Sequence, residues 1–364
     1  MKGSLQIARI AGVPIRLHWS LLVLVVLAIG PGATASTLLT SVAWFAAIFG
    51  SVLVHELGHS LLARHRGLNV RDIVLLPFGG ISEIGRISES PRGEMAIALV
   101  GPLTSLAIAA VLAGIAAPLG IALWPPTLFG RAWLARLMWA NVLLGGFNLL
   151  PGLPLDGGRA LRGYLAMSRD RVDATTIAAR VAKALAYAMI VTGVLFDLWL
   201  AVIGLILVLG ASAEESSVRL AAELHGVTVR DVMIGEPTGL RAGEPLGSVA
   251  PFLRAYPNRA FPVMDGTRAI GIVAASDLER AHGGEGDLGD VADRTAERLD
   301  VDDDLYPDAL DALVTARRDA LLVEAEGATV GVLYRSDVEA VLQRVAVARR
   351  GASRPGDARS SRHP

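Results

Sequence analysis

Three ionisable side chains stand close enough to do chemistry together in Val54-His55-Glu56-Leu57-Gly58-His59-Ser60. In a helix, residues four apart share a face, so His55 and His59 can ligate one metal ion. Glu56, between them, can act as general base on a water that the metal polarises. The spacing points to metal-assisted hydrolysis. The surroundings sharpen this reading. From Leu38 to Ala63 the chain is almost wholly apolar apart from these residues. About 20 apolar residues suffice to cross a bilayer as a helix. An ionisable group at mid-membrane depth costs roughly 2.5–3.5 kcal/mol on insertion scales. Packing alone gives no reason to place three of them there at ligand spacing.

Two histidines leave a zinc site incomplete, because catalytic zinc commonly takes three protein ligands and a water. The chain has no cysteine, so the third ligand must be His, Asp or Glu. Asp156 stands out in Phe147-Asn148-Leu149-Leu150-Pro151-Gly152-Leu153-Pro154-Leu155-Asp156-Gly157-Gly158. Prolines and glycines break the helix there and let the carboxylate turn inward. The plainer reading is a loop aspartate capping a turn. A zinc ion, one per chain, held by His55, His59 and Asp156 is the expectation. Asn148 lies eight positions before Asp156. Its amide could hold a substrate backbone or stabilise a tetrahedral oxyanion. An interhelical hydrogen bond explains Asn148 equally well, and the same holds for Asn141. Gly101-Pro102 reads as a kink that permits close packing near the site.

These residues need elements to hold them. Hydrophobic residues make up 52% of the 364-residue chain and the mean hydropathy is +0.49, values high for a soluble protein. The apolar excess is confined to residues 17–212, and 213–364 alternate in the ordinary way. Six candidate spans follow, at 17–33, 38–64, 93–117, 133–151, 177–195 and 197–213. Arginines cluster in the N-terminal arm, after the second span and after the fourth, which places both chain ends in the cytoplasm. Arg136 runs against that pattern. The segment from Asn69 to Gly85 is β-rich and broken by Pro77 and Gly79-Gly80, which suggests a membrane-associated hairpin. Its edge could receive an extended peptide. The formal net charge of −1 gives no case for nucleic-acid binding.

The second half carries a repeat. Gly271 to Asp277 and Gly331 to Asp337 lie 60 residues apart, each a strand running into a Ser-Asp helix start. Residues 345–364 are rich in Arg, Ser, Gly and Pro, a composition of disorder. The expected organisation is a membrane domain at 1–212, a linker at 213–227, a tandem pair at 228–344 and a disordered tail.

Together these motifs resemble the site-2 protease intramembrane metalloproteases. The resemblance rests on His55-Glu56-Leu57-Gly58-His59, Pro77-Phe78-Gly79-Gly80, Gly101-Pro102, and Asn148 through Gly158. It covers residues 1–212 and is closest to the subgroup with six spans and C-terminal CBS domains. It implies zinc on His55, His59 and Asp156, Glu56 activating water, and cleavage of a membrane-embedded protein substrate. An anti-sigma or pro-sigma factor is the substrate type suggested by analogy. The expected fold is a polytopic α-helical membrane protein with a small β-hairpin, followed by a cytoplasmic α/β CBS pair through which a homodimer could form. In nucleotide-binding CBS repeats, Asp277 and Asp337 would match the ribose contacts. The hydroxyl residue three positions earlier is replaced by Ala274 and Tyr334. Weak or absent adenine-nucleotide binding is therefore expected. The rival reading is a CBS-regulated transporter or metal-binding protein without protease activity. A transport site has no need of a base between two ligands, so Glu56 separates the two.

Overall fold

The structure is a computed structural model that describes residues 3–21, 23, 34–77, 79–84, 90–126, 128, 132–235, 239–257, 259–280, 286–316 and 319–352. It divides into two compact units, Met1–Val218 and Arg219–Pro364.

The first unit begins with a four-stranded sheet. Strands β1 (Ser4–Ile10) and β2 (Val13–His18) form a hairpin, as do β3 (Val70–Leu76) and β4 (Gly79–Ile84), and β2 pairs with β3 in parallel. The expected hairpin at 69–85 is present, less Phe78 and Gly85, which lie outside the described residues. The N-terminal pair was not legible as strands. His18 belongs to β2, and most of the candidate span at 17–33 lies outside the described residues.

Helix α1 (Ala35–His65) carries the histidine pair. Thr34 caps it by accepting the Thr37 amide, and Arg64 and His65 occupy its last turn. Helix α2 (Pro91–Ala116) starts at Ser90, whose hydroxyl accepts the Gly93 amide, with Pro91 at its first position. Then come α3 (Trp133–Asn148), α4 (Asp156–Leu165), α5 (Arg171–Phe196) and α6 (Leu198–Glu223). Among the described residues, four helices are long and apolar enough to cross a membrane: α1, α2, α5 and α6. Helix α3 has 16 residues and falls short of that length. Helix α2 packs against α1, α3 and α4 and is the hub of the unit. The sheet closes over α1 and α2 through Val13, Ile73, Leu75, Val52, Ala63 and Ile97. Leu153 and the small residues Ala178, Ala179, Ala182 and Ala211 form a second close-packed cluster. Large apolar side chains on the outer faces, including Val111, Val191, Leu195, Leu205 and Leu209, are exposed, as a lipid surround requires.

Arg136 explains its own departure from the charge pattern. Its guanidinium lies 3.9 Å from the Trp44 ring centroid and 6.0 Å from that of Trp133, and its Nε donates to the Leu128 carbonyl. A cation held by aromatic faces is a specific contact, so counting it as a loop charge misleads.

The second unit holds the expected repeat. It opens with the short helix α7 (Val229–Val232) and strand β5 (Ile234–Gly235). In one copy β6 (Leu240–Arg241) precedes helix α8 (Leu246–Ala255) and runs parallel to β7 (Ala260–Asp265), which pairs antiparallel with β8 (Arg268–Ala274), followed by helix α9 (Ala275–Arg280). Helix α10 (Leu288–Val291) leads to the other, in which β9 (Arg298–Asp300), helix α11 (Leu310–Thr315), β10 (Ala320–Ala325) and β11 (Ala328–Tyr334) repeat this arrangement and lead into α12 (Arg335–Ala352). Even the irregularities recur. The register shifts after Val263 in β7 and after Val323 in β10. Capping boxes open short helices at Thr228 with Asp231 and at Asp287 with Asp290. Helix α6 is continuous through residues 213–223, and α12 continues to Ala352. Residues 353–364 lie outside the described residues.

Candidate metal centre

His55 and His59 sit one turn apart on α1 and are buried, 3% and 6% exposed. Asp156 opens α4, where the preceding Leu155 is extended. It reaches the histidines from 97 and 101 residues away in sequence. Three ligand atoms converge: His55 Nε2 to Asp156 Oδ2 is 3.1 Å, His59 Nε2 to the same oxygen 3.2 Å, and the two Nε2 atoms lie 3.3 Å apart. A tetrahedral zinc ion with ligand bonds of about 2.0–2.1 Å separates its ligands by about 3.3–3.4 Å. The triangle fits that ion, and the three residues form a group that could hold a metal. Two imidazoles and a carboxylate also match the donor types zinc takes at catalytic sites.

The far side of each ring is held. His59 Nδ1 donates to the Ile97 carbonyl at 2.7 Å. A carbonyl can only accept, so the proton sits on Nδ1 and the Nε2 lone pair faces the centre. His55 Nδ1 lies 2.9 Å from Ser105 Oγ, which can accept in the same way. Both partners come from α2. They follow from the path of that helix, which Gly101 brings close. A Cβ at Gly101 would overlap the His59 ring. The expected packing role of Gly101-Pro102 therefore has a specific form, which is to leave room for a ligand.

Glycines place the other parts too. A Cβ at Gly157 or Gly158 would overlap the backbone of residues 149–153, so the pair lets that turn fold directly onto the start of α4. A Cβ at Gly80 would overlap the Glu56 side chain. Strand β4 is an edge strand of its sheet, and its face at Gly80 lies against Glu56.

The remaining sequence candidates make the following contacts. Asn148 ends α3, and its amide donates to the Leu144 carbonyl of its own helix at 2.9 Å. Asn141 is fully buried and donates to Ser51 Oγ at 3.0 Å, joining α3 to α1 as the interhelical alternative had it. In the second unit Asp277 is 3% exposed and accepts the Ala274 amide at 2.8 Å, where it caps α9. Asp337 Oδ2 is buried with no hydrogen-bond partner among the described residues. Tyr334 is 7% exposed and donates to the Ala260 carbonyl at 2.8 Å, with the Arg259 guanidinium 5.1 Å from its ring centroid. Its side chain thus crosses from one repeat to the other, and burial pushes its phenol pKa up.

Sequence reasoning missed Ser105, the Ile97 carbonyl and Arg162. Ser105 carried a usable signal, a hydroxyl in an otherwise apolar span. Arg162 was counted among loop charges, yet it is 3% exposed and paired with Glu94 and Glu214.

The family model described as peptidase family M50 matches residues 43–123 and 127–196. Rip3 of Mycobacterium tuberculosis, named a zinc metalloprotease, is 31% identical over 382 residues, covering 93% of this chain and 92% of its own length. The solved site-2 protease of Methanocaldococcus jannaschii is 33% identical, with a TM-score of 0.44 over 58% of this chain and 95% of its own. A CBS domain-containing protein from Bacillus anthracis is 20% identical, with a TM-score of 0.30 over 33% of this chain and 94% of its own. The chain belongs to peptidase family M50, the site-2 protease zinc metallopeptidases.

Proposed function

We propose that this metallopeptidase is an intramembrane endopeptidase that cuts the transmembrane segment of a protein substrate, with His55, His59 and Asp156 as its zinc ligands and Glu56 as its base. The observation that carries the reading is the convergence of the three ligand atoms, each 3.1–3.3 Å from the others, on two buried histidines of α1 and the first residue of α4, with Glu56 one residue from His55. When bound, zinc polarises the scissile carbonyl and acidifies the attacking water. Glu56 accepts the proton from that water and returns it to the leaving amine. A helical substrate hides its carbonyls in its own hydrogen bonds, so it must unwind before attack. Strand β4, an edge strand beside Glu56, offers backbone pairing to the unwound stretch. Asn148, close to Asp156 in sequence, is assigned to hold the substrate backbone or the oxyanion.

The finer assignments follow the same reading. The chain crosses the cell membrane six times with both ends in the cytoplasm. The second unit is a tandem CBS pair that dimerises the protease, recruits its substrate or regulates it. Substrates are membrane-embedded proteins, with membrane-held anti-sigma or pro-sigma factors the leading type. The deciding experiment reconstitutes the full chain in liposomes with a labelled transmembrane-segment reporter. Cleavage should fall about 10²–10⁴-fold in Glu56→Gln while zinc content stays at the wild-type level. Equal loss of zinc and activity would make Glu56 a ligand or structural residue. Unchanged cleavage would remove it from the reaction.

A further inference from the structure

Helix α4 is short and isolated in sequence by breaks at both ends, yet it must hold Asp156 to within a few tenths of an ångström of the histidine pair. Its first turn is set by the Gly157–Gly158 contact with the turn before it. Its other end is set by charge. Arg162 lies six residues past Asp156, about 9 Å along a rigid helix. Its guanidinium is 3% exposed and forks between two elements. Nε and Nη2 meet Glu94 Oε1 of α2 at 2.6 and 2.5 Å, and Nη1 meets Glu214 Oε1 of α6 at 2.5 Å. Arg171, at the start of α5, adds a looser contact to Glu94 Oε2 at 3.7 Å. The next residue, Gly163, packs so tightly that a Cβ would come within 2.8–2.9 Å of the Pro91 carbonyl and the Met95 amide, the same turn of α2 that bears Glu94.

We infer that Arg162 is a positioning residue: the Glu94–Arg162–Glu214 clasp sets the placement of α4 and so holds Asp156 at the metal. Three features support this over a general stabilising role. Replacing a buried ion pair by apolar groups is often neutral or favourable to stability, so burial of one is weak evidence for a stability function. The planar fork bonds two carboxylates from two different helices, which fixes orientation as well as distance. Helix α2 supplies Glu94 to the clasp and also Ile97 and Ser105 to the histidines. One helix thus serves as the common reference for all three ligands. The inference rests on the proposed zinc ligands.

The test measures zinc affinity of the full-length protein in detergent by chelator competition. Glu214→Gln is the main variant, because Glu214 is one-third exposed and the amide is isosteric. Lys183→Met is the control. It breaks the Lys183–Glu215 pair of 2.8 Å, which joins α5 to α6. Glu214→Gln and Glu94→Gln should weaken zinc binding about 10-fold or more, the usual cost of losing a residue that orients a ligand, while Lys183→Met keeps the wild-type affinity. Saturating zinc should restore proteolysis in Glu214→Gln. If Glu94→Gln does not fold, Glu214→Gln still decides the matter. Wild-type zinc affinity in Glu214→Gln, or equal weakening in Lys183→Met, overturns the inference. Failure of the wild type to bind zinc would instead refute the metal-centre reading on which it rests.

Discussion

Replacing Gly101 by Ala adds one methyl group to α2 and should disable the metal centre. The Cβ would overlap the His59 imidazole, with ring carbons Cε1 and Cδ2 at 2.5 and 2.8 Å against an ordinary contact of 3.4–4 Å. The ring must therefore retreat by about 1 Å, since a close-packed interior leaves little room for the helix to give instead. Metal sites tolerate ligand displacements of about 0.2 Å, so a shift of this size takes His59 out of the coordination sphere. It also stretches the His59 Nδ1 bond to Ile97, which starts at 2.7 Å. Overpacking of this kind costs about 1–3 kcal/mol of stability, and misplacement by 1 Å costs on the order of 100-fold in rate. Chelator competition should show zinc binding weakened by a comparable factor. Gly114→Ala is the matched control. It lies on the same helix, and a Cβ there meets nothing within 4 Å, so it should leave zinc affinity and cleavage intact. Wild-type zinc affinity in Gly101→Ala would refute the argument that this glycine exists to admit the ligand.

Three further outcomes are expected. Asp156→Ala should lower zinc retention, because the site loses its anionic donor, and full zinc occupancy in the purified variant would remove Asp156 from the ligand set. Calorimetry on the full chain should show no saturable AMP or ATP binding, since Tyr334 spans the two repeats and the Asp277 carboxylate is engaged in capping α9; tight binding lost in Asp277→Ala would show the opposite. A reporter fused after Ser212 should lie in the cytoplasm and one at Gly32 outside, and the reverse pattern would invert the orientation.

How much of this was legible in the sequence depended on how local each signal was. The His55–His59 spacing is a property of one helix, so it could be read directly, and Asp156 could be named because ligand chemistry left few alternatives. The 60-residue repeat was legible because each copy carries its own strand, turn and helix signals. Helix α4 was not, since its ten residues include three glycines and were masked by the prolines before it. Strands β1 and β2 were read only as a charged arm, because the strand that joins their hairpin to the rest of the sheet, β3, lies more than 50 residues on from β2. Arg162 shows the limit of charge counting. A sequence gives the presence of a charge, and only packing decides whether it faces solvent or two carboxylates.

The partners chosen for the two histidines make sense of the setting. Metal-bound imidazoles often donate to a carboxylate, which raises their basicity. Here the described partners are a backbone carbonyl, Ile97, and a hydroxyl, Ser105. Both are neutral and both come from an apolar helix. In a bilayer interior an added carboxylate would have to be desolvated, at a cost of several kilocalories per mole even after relaxation. In the proposed centre, a zinc dication would be balanced by the two carboxylates of Asp156 and Glu56. A third anion would leave the centre with net charge in a low-dielectric surround, where unpaired charge is least tolerated. Neutral partners orient the rings without adding charge. On this argument, Ser105→Asp should harm the centre more than Ser105→Ala. The alanine loses one hydrogen bond to the His55 Nδ1 proton, whereas the aspartate keeps an acceptor there at the expense of a buried negative charge. Zinc affinity and thermal stability of the two variants, measured side by side, test it: a well-folded Ser105→Asp protein that binds zinc more tightly than wild type would show that charge balance does not govern the choice.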